Sequence, residues 1–229
     1  MKTAIVTGTS SGIGKAIAIR LLHLGYKVIG VSRRASNIED RNFSQFTSNL
    51  ANTAETIALG EKLKTEKGAY ILINAAGFGR FEPHEELSPK TIEAMIHVNL
   101  TAPILLSNLL LRTLKQNSGY LINITSIEAT RSSKFSALYS STKAGLRAFG
   151  SSLFEEVRKS DLTVVTINPD MTDTAFFDEL KFGVPEADHS RLESSDIADA
   201  VEQVLAMRHG VAVTELTVRS QRFGITKKH

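Results

Sequence analysis

The start of the chain joins a short apolar run to a glycine-rich turn and then to an apolar helical pattern. Lys2–Thr7 is rich in β-branched residues, which is typical of a buried parallel strand, and Gly8–Gly14 follows it directly. Gly25 is a candidate C-cap for a helix whose apolar residues recur at helical spacing, at Ile13, Ile17, Leu21 and Leu24. Lys27–Val31 is a second predicted strand. Together these segments predict a βαβ unit with a right-handed crossover.

The alternation of strands and helices continues to the end of the chain. Further strands are predicted at Phe43–Phe46, Ala69–Asn74, Tyr120–Thr125, Leu162–Asn168 and Val211–Val218. Helices are predicted at Asn52–Lys67, Pro89–Val98, Pro103–Leu114, Ala137–Lys159 and Ser194–Met207. Ser88 is the predicted N-cap before Pro89, and Ser194 or Ser195 is the predicted N-cap of the last helix. This order predicts one α/β domain over residues 1–229, with a doubly wound, parallel, seven-stranded sheet.

Composition narrows the class of protein. A chain of 229 residues with 42% hydrophobic residues suits one globular domain, and the absence of cysteine excludes disulfides and thiolate metal sites. The net charge is only +3, with basic residues scattered along the chain, so we expect no nucleic-acid partner. No uninterrupted apolar run approaches the ~18–20 residues that span a bilayer, and the start lacks a signal-peptide pattern. We therefore expect a cytoplasmic protein without a membrane partner.

A metal site is not expected either. His84-Glu85-Glu86 resembles the start of a zinc-binding helix, but Ser88 stands where the second histidine of that motif belongs. The remaining histidines are scattered, which is typical of structural or solvated side chains.

The glycine turn has the context of a phosphate-binding site. It follows a strand and opens a helix, so its glycines let the backbone approach a pyrophosphate while the helix N-terminus offers N–H donors and a favourable dipole. Its spacing is G-x-x-x-G-x-G rather than the usual dinucleotide-binding G-x-G-x-x-G. The alternative is an ordinary strand-to-helix turn, which also uses glycine. The predicted nucleotide contacts are Gly8, Ser10, Ser11, Gly12, Ile13 and Gly14.

A tyrosine and a lysine share one face of the predicted helix Ala137–Lys159. Tyr139 and Lys143 are four residues apart, so their side chains project together. An ammonium close to a phenol lowers the phenol pKa from ~10 and brings it nearer to the range of a general acid or base. Ser126 follows an apolar strand and can reach the same point. The alternative is an exposed pair without a role in catalysis.

Together these motifs resemble those of the short-chain dehydrogenase/reductase family. The resemblance is carried by TGTSSGIG at 7–14, NAAG at 74–77, Asn99, Ser126 and Tyr-x-x-x-Lys at 139–143, in the family's order and separations from the first strand to the last. Ala75 departs slightly from the usual NNAG. The resemblance implies a Rossmann-like sheet with strand order 3-2-1-4-5-6-7 and hydride transfer between a nicotinamide cofactor and a carbonyl or alcohol.

The resemblance also implies a role for each site residue. Tyr139 would exchange a proton with the substrate oxygen, and Ser126 would hydrogen-bond that oxygen. Lys143 would hold the nicotinamide ribose and lower the Tyr139 pKa, and Asn99 would sit in an interrupted helix and position a water for a proton relay. Asp170 stands where the family usually has glycine. The alternative interpretation of this segment is a Pro-Asp turn that has no role in ligand binding. Further cofactor contacts are implied for Asn74, Ala75, Ala76, Gly77, Pro169, Met171, Thr172 and Thr174.

The residues after the second strand favour NADP(H). Ser32-Arg33-Arg34 occupies the place where a carboxylate would select NAD, and no acid follows until Glu39. Since a guanidinium matches a phosphate with two parallel hydrogen bonds, Arg33 is predicted to bind the 2′-phosphate, with help from Ser32. The alternative is a solvent-exposed loop arginine. Asn49 is predicted to contact the adenine, at the position where the family commonly has aspartate.

A short lid is predicted at about residues 175–190. It carries Phe176, Phe177, Phe182 and Val184, which predict an apolar substrate because ligand pockets are mostly apolar. The same side chains could instead anchor the loop to the core. Other residues predicted to border the pocket are Phe78, Arg80, Phe81 and Glu128.

Two predicted helices are too apolar for a single buried face. The helices Pro103–Leu114 and Ala137–Lys159 therefore predict a homodimer or homotetramer, with burial inside one chain as the alternative.

The leading function is an NADPH-dependent carbonyl reductase. An alternative is an NADP-binding sensor or scaffold on the same fold, although such proteins typically lose the Tyr or Lys of the motif. A nucleotide-sugar epimerase would need a larger C-terminal substrate domain than follows Asn168.

Overall fold

The computed structural model describes residues 1–66, 68–178, 180–185, 189–222 and 224–227. Its main strands are β1 (Thr3–Thr7), β2 (Lys27–Ser32), β3 (Phe43–Thr47), β4 (Ala69–Asn74), β5 (Tyr120–Ile124), β6 (Thr163–Pro169) and β7 (Glu215–Val218). Its helices are α1 (Gly12–His23), α2 (Thr53–Leu63), α3 (Pro89–Ile96), α4 (Ala102–Gln116), α5 (Ala137–Val157) and α6 (Ser194–Leu205).

The strands form one parallel sheet with the order β3-β2-β1-β4-β5-β6-β7. This confirms the predicted doubly wound architecture and its strand order. Ile5 on β1 lies beside Ile29 on β2 and Leu72 on β4, and all three side chains are buried. Because the strands are parallel, their carboxyl ends meet at one edge of the sheet, where ligands bind in this class of fold.

Helices cover both faces of the sheet. On one face, α1 and α6 bury Ile17, Leu21, Ile197 and Val201 against β1, β4, β5 and β6. On the other face, α2, α4 and α5 bury a second cluster that includes Leu59, Leu110 and Leu153. Strands that are covered on both faces read as continuous apolar runs, which explains why β1, β4 and β5 were readily predicted.

Several predicted boundaries are wrong by a few residues. The helix predicted at Asn52–Lys67 ends at Leu63, and Asn52 serves as its N-cap by accepting from Glu55 N at 3.1 Å. Its predicted end at Lys67 lies outside the described residues. The last strand begins at Glu215 rather than Val211, and the helix predicted to reach Lys159 changes to a 3-10 turn after Val157.

The predicted cap of α6 is also wrong. Ser194 is the first helical residue, and Glu193 is the N-cap. The Glu193 side chain accepts from the backbone N–H of Asp196, while the Asp196 carboxylate accepts from Glu193 N at 2.8 Å. Paired carboxylates at N-cap and N3 satisfy two orphan donors and place negative charge at the positive end of the helix dipole.

The helices α3 and α4 are joined without a break by a π-helical turn, His97–Thr101. The resulting helix, Pro89–Gln116, has 28 residues and is long and apolar enough, by length and composition, to cross a membrane. Polar residues such as Asn99 divide this helix, so the sequence itself has no uninterrupted apolar run of that length. Leu106 and Leu110 are fully buried within the fold, whereas Ile96 is 36% exposed.

Two pairs of very short strands fix the predicted lid. Thr172–Asp173 runs parallel to Leu192–Glu193 and closes the base of the lid. Phe182–Gly183 in the lid pairs antiparallel with Thr226–Lys227 after β7. The C-terminal segment therefore lies against the predicted lid, a contact that the sequence analysis did not predict. Within the lid, Glu179 and the residues 186–188 lie outside the described part of the chain.

Candidate active site

The glycine turn, residues 8–14, contains glycines at positions where the backbone conformation or close packing disfavours a side chain. Gly8 and Gly12 have φ angles of +80° and +55°, in the left-handed region that favours glycine. A Cβ at Gly14 would lie 2.5 Å from the Gly8 carbonyl oxygen. The turn therefore packs tightly against the start of α1 and presents backbone N–H groups at the helix N-terminus, as an anion site requires.

The end of β4 is held against this turn by a threonine. The Thr7 hydroxyl accepts from the backbone N–H groups of Ala75 and Ala76, each at 3.0 Å. A Cβ at Gly8 would lie 3.0 Å from Ala76 Cα, so the two segments touch. The predicted contacts at 7–14 and 74–77 thus line one edge of the sheet.

Asn74 ties neighbouring strands together. Its amide nitrogen donates to Asn123 Oδ1 on β5 at 2.9 Å, and both side chains are fully buried. A cofactor contact through this amide stays a prediction.

The turn after β6 lies beside the glycine turn. A Cβ on Gly12 would meet the Thr174 methyl carbon at 3.1 Å. Thr172 is buried, and the Thr174 hydroxyl accepts from Phe176 N at 3.3 Å and caps the short turn Ala175–Phe177. Thr174 therefore brings the end of the segment Pro169–Thr174, which includes Met171, beside the glycine turn, and carboxamide and phosphate contacts of this segment stay a prediction.

Asp170, the residue that replaces the family glycine, points toward the C-terminal segment. Its carboxylate accepts from Arg219 Nε at 3.0 Å and from Met171 N at 2.9 Å. The side chain of Asp170 is only 3% exposed. Asp170 thus fixes the shape of the turn and links it to the end of β7.

The residues predicted to bind the adenosine part of the cofactor are more exposed than those around the glycine turn. Arg33 and Asn49 are exposed, and Asn49 Oδ1 accepts from Ala51 N at 3.2 Å. Ser32 is buried, and its hydroxyl donates to the Arg34 carbonyl at 2.6 Å rather than pointing freely to solvent. Gln45 on β3 holds the loop by donating to Ser32 Oγ and accepting from Ser36 N. The sequence analysis missed Gln45, although its place in a strand paired with β2 was a usable signal.

The four candidate catalytic residues come from three elements that converge at the same edge. Asn99 lies in the π-helical turn, Ser126 lies two residues after the end of β5, and Tyr139 and Lys143 lie on α5. Insertions of this kind in a helix often mark functional sites. Asn99 and Lys143 both border Gly77, since a Cβ on Gly77 would lie 3.3 Å from Asn99 Oδ1 and 3.2 Å from Lys143 Nζ.

The buried polar groups of these residues are held by specific partners. The Asn99 amide binds the backbone of Phe78 in both directions, at 3.0 and 2.9 Å, and donates to Thr142 Oγ1 at 3.2 Å. Lys143 Nζ donates to the Ile124 carbonyl at 3.0 Å. Because an ammonium has three N–H donors, Lys143 retains donors for a ligand.

The titration of the pair differs from the prediction. Burial raises the pKa of Tyr139, a hydrogen bond with the Ser126 side chain lowers it, and the nearby Glu128 carboxylate raises it, with a net value of about 12. The direction of the Tyr139 pKa shift is therefore opposite to the one that the sequence analysis expected. The Lys143 ammonium lies 5.9 Å from the centre of the Tyr139 ring, and burial lowers its own pKa to about 8. Desolvation opposes the charged form of both groups.

Aromatic rings from two loops cover Tyr139. The Phe81 and Phe176 rings lie 5.2 and 5.8 Å from the Tyr139 ring, measured between centroids. Phe182 contacts Phe81 at 5.2 Å, and Phe177 lies between Phe176 and Phe182. These four phenylalanines are called the aromatic cover below. The predicted lid and the predicted pocket border thus form one apolar surface beside the phenol.

Comparison with known proteins supports the motif assignment. The sequence model described as short chain dehydrogenase matches residues 2–183. An uncharacterized oxidoreductase of Staphylococcus saprophyticus is 34% identical, with 95% of this chain and 97% of that protein covered.

Solved structures have the same fold. An alcohol dehydrogenase from the archaeon Thermococcus sibiricus, complexed with 5-hydroxy-NADP, matches with a TM-score of 0.84 and 27% identity over 96% of this chain and 97% of that one. A 4-hydroxyisoleucine dehydrogenase complexed with NADH matches with a TM-score of 0.83 and 23% identity, covering 96% and 98% of the two chains, a likeness that shows the fold alone.

Proposed function

The chain belongs to the short-chain dehydrogenase family of oxidoreductases, and from this premise we propose that it transfers hydride between NADP(H) and a carbonyl or alcohol substrate. The observation that carries the proposal is the convergence of Asn99, Ser126, Tyr139 and Lys143 beside the glycine turn. These groups supply a proton donor, a hydrogen-bond donor for the substrate oxygen and a buried cation, which is the set that carbonyl reduction needs.

The fit of a dinucleotide is supported by the backbone of the glycine turn. Gly8 and Gly12 have φ angles of +80° and +55°, which favour glycine, and the turn opens the N-terminus of α1, where backbone N–H groups can bind a phosphate. The residues that would hold the cofactor are those of the glycine turn, Asn74–Gly77, Pro169–Thr174 and Lys143. When bound, the nicotinamide supplies or accepts the hydride.

The protein would contribute proton transfer and electrostatics. The Tyr139 hydroxyl donates its proton to the substrate oxygen during reduction, while Ser126 holds that oxygen. A pKa of about 12 keeps the Tyr139 phenol protonated at neutral pH, so the proton that the reduction needs is present on the hydroxyl. The Lys143 ammonium, anchored on the Ile124 carbonyl, is placed to bind ribose hydroxyls and to stabilise the phenolate left by the transfer. Asn99 would position a water for the proton relay.

The preference for NADPH rests on Arg33. Its exposed guanidinium follows β2 at the carboxyl edge of the sheet, and Gln45 and Ser32 fix the loop around it. The Thermococcus sibiricus relative, complexed with a derivative of NADP, is consistent with this choice. We expect Arg33→Asp to weaken NADPH binding about 100-fold and NADH binding about twofold or less, measured by nucleotide fluorescence titration. Arg41→Asp, which makes the same charge change at an exposed site on the loop before β3, is the control. Equal losses for both cofactors would refute the 2′-phosphate contact.

The substrate is proposed to be an apolar carbonyl compound. The aromatic cover lies directly against Tyr139, so a substrate oxygen near the phenol brings its carbon skeleton against phenylalanine rings. A panel of aliphatic and aromatic ketones and aldehydes, assayed with NADPH and with NADH, tests the activity. NADPH-dependent turnover of apolar members is expected, whereas NADPH binding without turnover of any member would favour the sensor or scaffold.

The homo-oligomer remains a proposal that concerns α4 and α5. Part of their apolar surface is covered within the chain, since Leu109 packs on Gly60 of α2 and Phe149 and Phe154 pack against the core. Light scattering of the purified protein distinguishes a dimer or tetramer from a monomer.

A further inference from the structure

A buried carboxylate joins the turn that carries Ser126 to the helix that carries Tyr139. Glu128 is 9% exposed and lies in the short helical turn Ile127–Ala129. Its Oε1 accepts from Arg131 Nε at 2.8 Å and Ser133 Oγ at 3.0 Å, and its Oε2 accepts from Ser136 Oγ at 2.9 Å and Ser140 Oγ at 3.3 Å. One side chain thus gathers donors from the whole connection between β5 and α5.

Donors surround both oxygens of the carboxylate, which when ionised offers about four lone-pair sites. Arg131 Nε and Ser133 Oγ lie at Oε1. Ser136 Oγ and Ser140 Oγ lie at Oε2 and are also 2.5 Å from each other, so one serine hydroxyl can donate to the other. A substrate group would have to displace one of these donors, so the arrangement favours a role inside the protein over one as a substrate ligand.

The partners of Glu128 are neighbours of the reacting groups. The backbone N–H of Glu128 donates to Ser126 Oγ at 3.2 Å. Ser136 is the N-cap residue of α5, Ser140 directly follows Tyr139, and Ser140 N donates to the Ser136 carbonyl at 2.7 Å. Glu128 therefore fixes the first turn of α5 relative to the Ser126 turn.

We propose that Glu128 is a positioning residue, whose buried carboxylate sets the distance and orientation between the hydroxyl groups of Ser126 and Tyr139. The proposal rests on the proposed function, because it assigns these two hydroxyls to the same substrate oxygen. Glu128 acts on the reaction through Ser136 and Ser140 and does not touch the substrate itself.

The charge of Glu128 gives the proposal a signature that a purely structural role lacks. Among the residues that the structure describes, Lys143 on α5 lies 5.9 Å from the Tyr139 ring and Glu128, paired with Arg131, acts on its pKa, while the loop after β4 and the lid contribute the rings of Phe81 and Phe176. The anion of Glu128 raises the pKa of Tyr139. Replacing it with a neutral side chain should lower that pKa and move the phenol titration to lower pH.

Glu128→Gln, which keeps the length of the side chain and removes its charge, is the test. Protein labelled with ¹³C at tyrosine Cζ is titrated by NMR, and the Tyr139 signal is assigned from Tyr139→Phe. We expect a displaced Tyr139 signal, a titration at lower pH, and kcat about tenfold lower in both reaction directions with the NADPH Kd unchanged. A folded Glu128→Gln protein with an unchanged Tyr139 signal and unchanged kcat would overturn the proposal.

A second pair of variants keeps the test valid if Glu128→Gln does not fold. Ser140→Ala removes one donor to Glu128, whereas Ser141→Ala removes an exposed hydroxyl that donates to the Ala137 carbonyl. Ser140→Ala is expected to displace the Tyr139 signal and Ser141→Ala to leave it in place; identical spectra would overturn the proposal. If the wild-type protein shows no turnover but Glu128→Gln displaces the Tyr139 signal, the proposed function fails while the positioning role stands.

Discussion

The two sides of the site are held together in different ways. On the cofactor side, the glycine turn and the end of β4 meet through backbone atoms, with the Thr7 hydroxyl bridging two N–H groups. On the substrate side, Tyr139 is surrounded by side chains: the aromatic cover above it and the Glu128 network behind it. On the proposed cofactor side, the backbone segments are so close that there is no room for a Cβ at key glycines. On the proposed substrate side, the geometry depends on the shape and charge of individual side chains.

This difference predicts different responses to substitution. A small change at a glycine should disturb the fold and the cofactor together, because the backbone cannot move without shifting a strand. A change in the aromatic cover should alter the use of the substrate while leaving the cofactor in place. The variants below test whether the two sides can be separated in this way.

Gly14→Ala is expected to have the largest effect. Its Cβ would lie 2.5 Å from the Gly8 carbonyl oxygen and 2.9 Å from that of Thr7, so the turn must open. We expect a loss of about 3 kcal/mol in the free energy of unfolding and NADPH binding about 100-fold weaker. Chemical denaturation and fluorescence titration measure the two quantities. Gly68→Ala, where the nearest atom lies 3.4 Å away, is the control, and equal behaviour of the two variants would contradict the steric account.

Lys143→Met is expected to stabilise the protein while it abolishes turnover. Burial lowers the pKa of Lys143 from 10.5 to about 8, so the folded state resists protonation. The cost of the buried charge is complete below pH 8 and disappears above pH 10.5, as stability rises with pH between these values. Allowing for the lost hydrogen bond to Ile124, the variant should gain about 2 kcal/mol at pH 7.

Unfolding of Lys143→Met at pH 7 and at pH 10.5 measures this gain and its loss. Lys64→Met, at an exposed lysine that pairs with Glu61, should show no such pH dependence. A Lys143→Met protein less stable than wild type at pH 7 would indicate that the ammonium is better solvated than its burial implies.

Phe176→Ala is expected to have a smaller effect, confined to the substrate side. Its ring contacts those of Tyr139 and Phe81. Removing it should raise the KM of apolar carbonyls about tenfold and leave the NADPH Kd within about twofold. Ile57→Ala, at an exposed position on α2, is the control. A parallel loss of NADPH affinity would show that the two sides are not independent.

The glycine turn and the strands beside it could be predicted from the sequence because their sequence signals are local. Glycine spacing after a strand and a buried apolar run are local patterns, and they predicted the first βαβ unit, whereas the strand order of the sheet came from the family resemblance. The position of Asn99 in an interrupted helix followed from the resemblance and Pro103 nearby, and the π-helical turn His97–Thr101 lies at that place.

The substrate side was only partly readable because it depends on contacts between distant segments. Pairing of Phe182–Gly183 with the C-terminal segment and the hold of Gln45 on Ser32 leave no periodic signal in the chain. The direction of the Tyr139 pKa shift was missed for the same reason. A lysine four residues away suggested a lower pKa, but burial by Phe81 and Phe176 depends on tertiary structure.

The most direct test of the central claim is a comparison of wild type with Tyr139→Phe in two assays, NADPH-dependent carbonyl reduction and NADPH binding. Since the phenol is the proposed proton donor, kcat should fall by about 10²- to 10⁴-fold while the NADPH Kd changes by less than about twofold. Turnover retained at the wild-type rate would contradict the assignment of Tyr139 as the acid and, with it, the proposed reaction geometry.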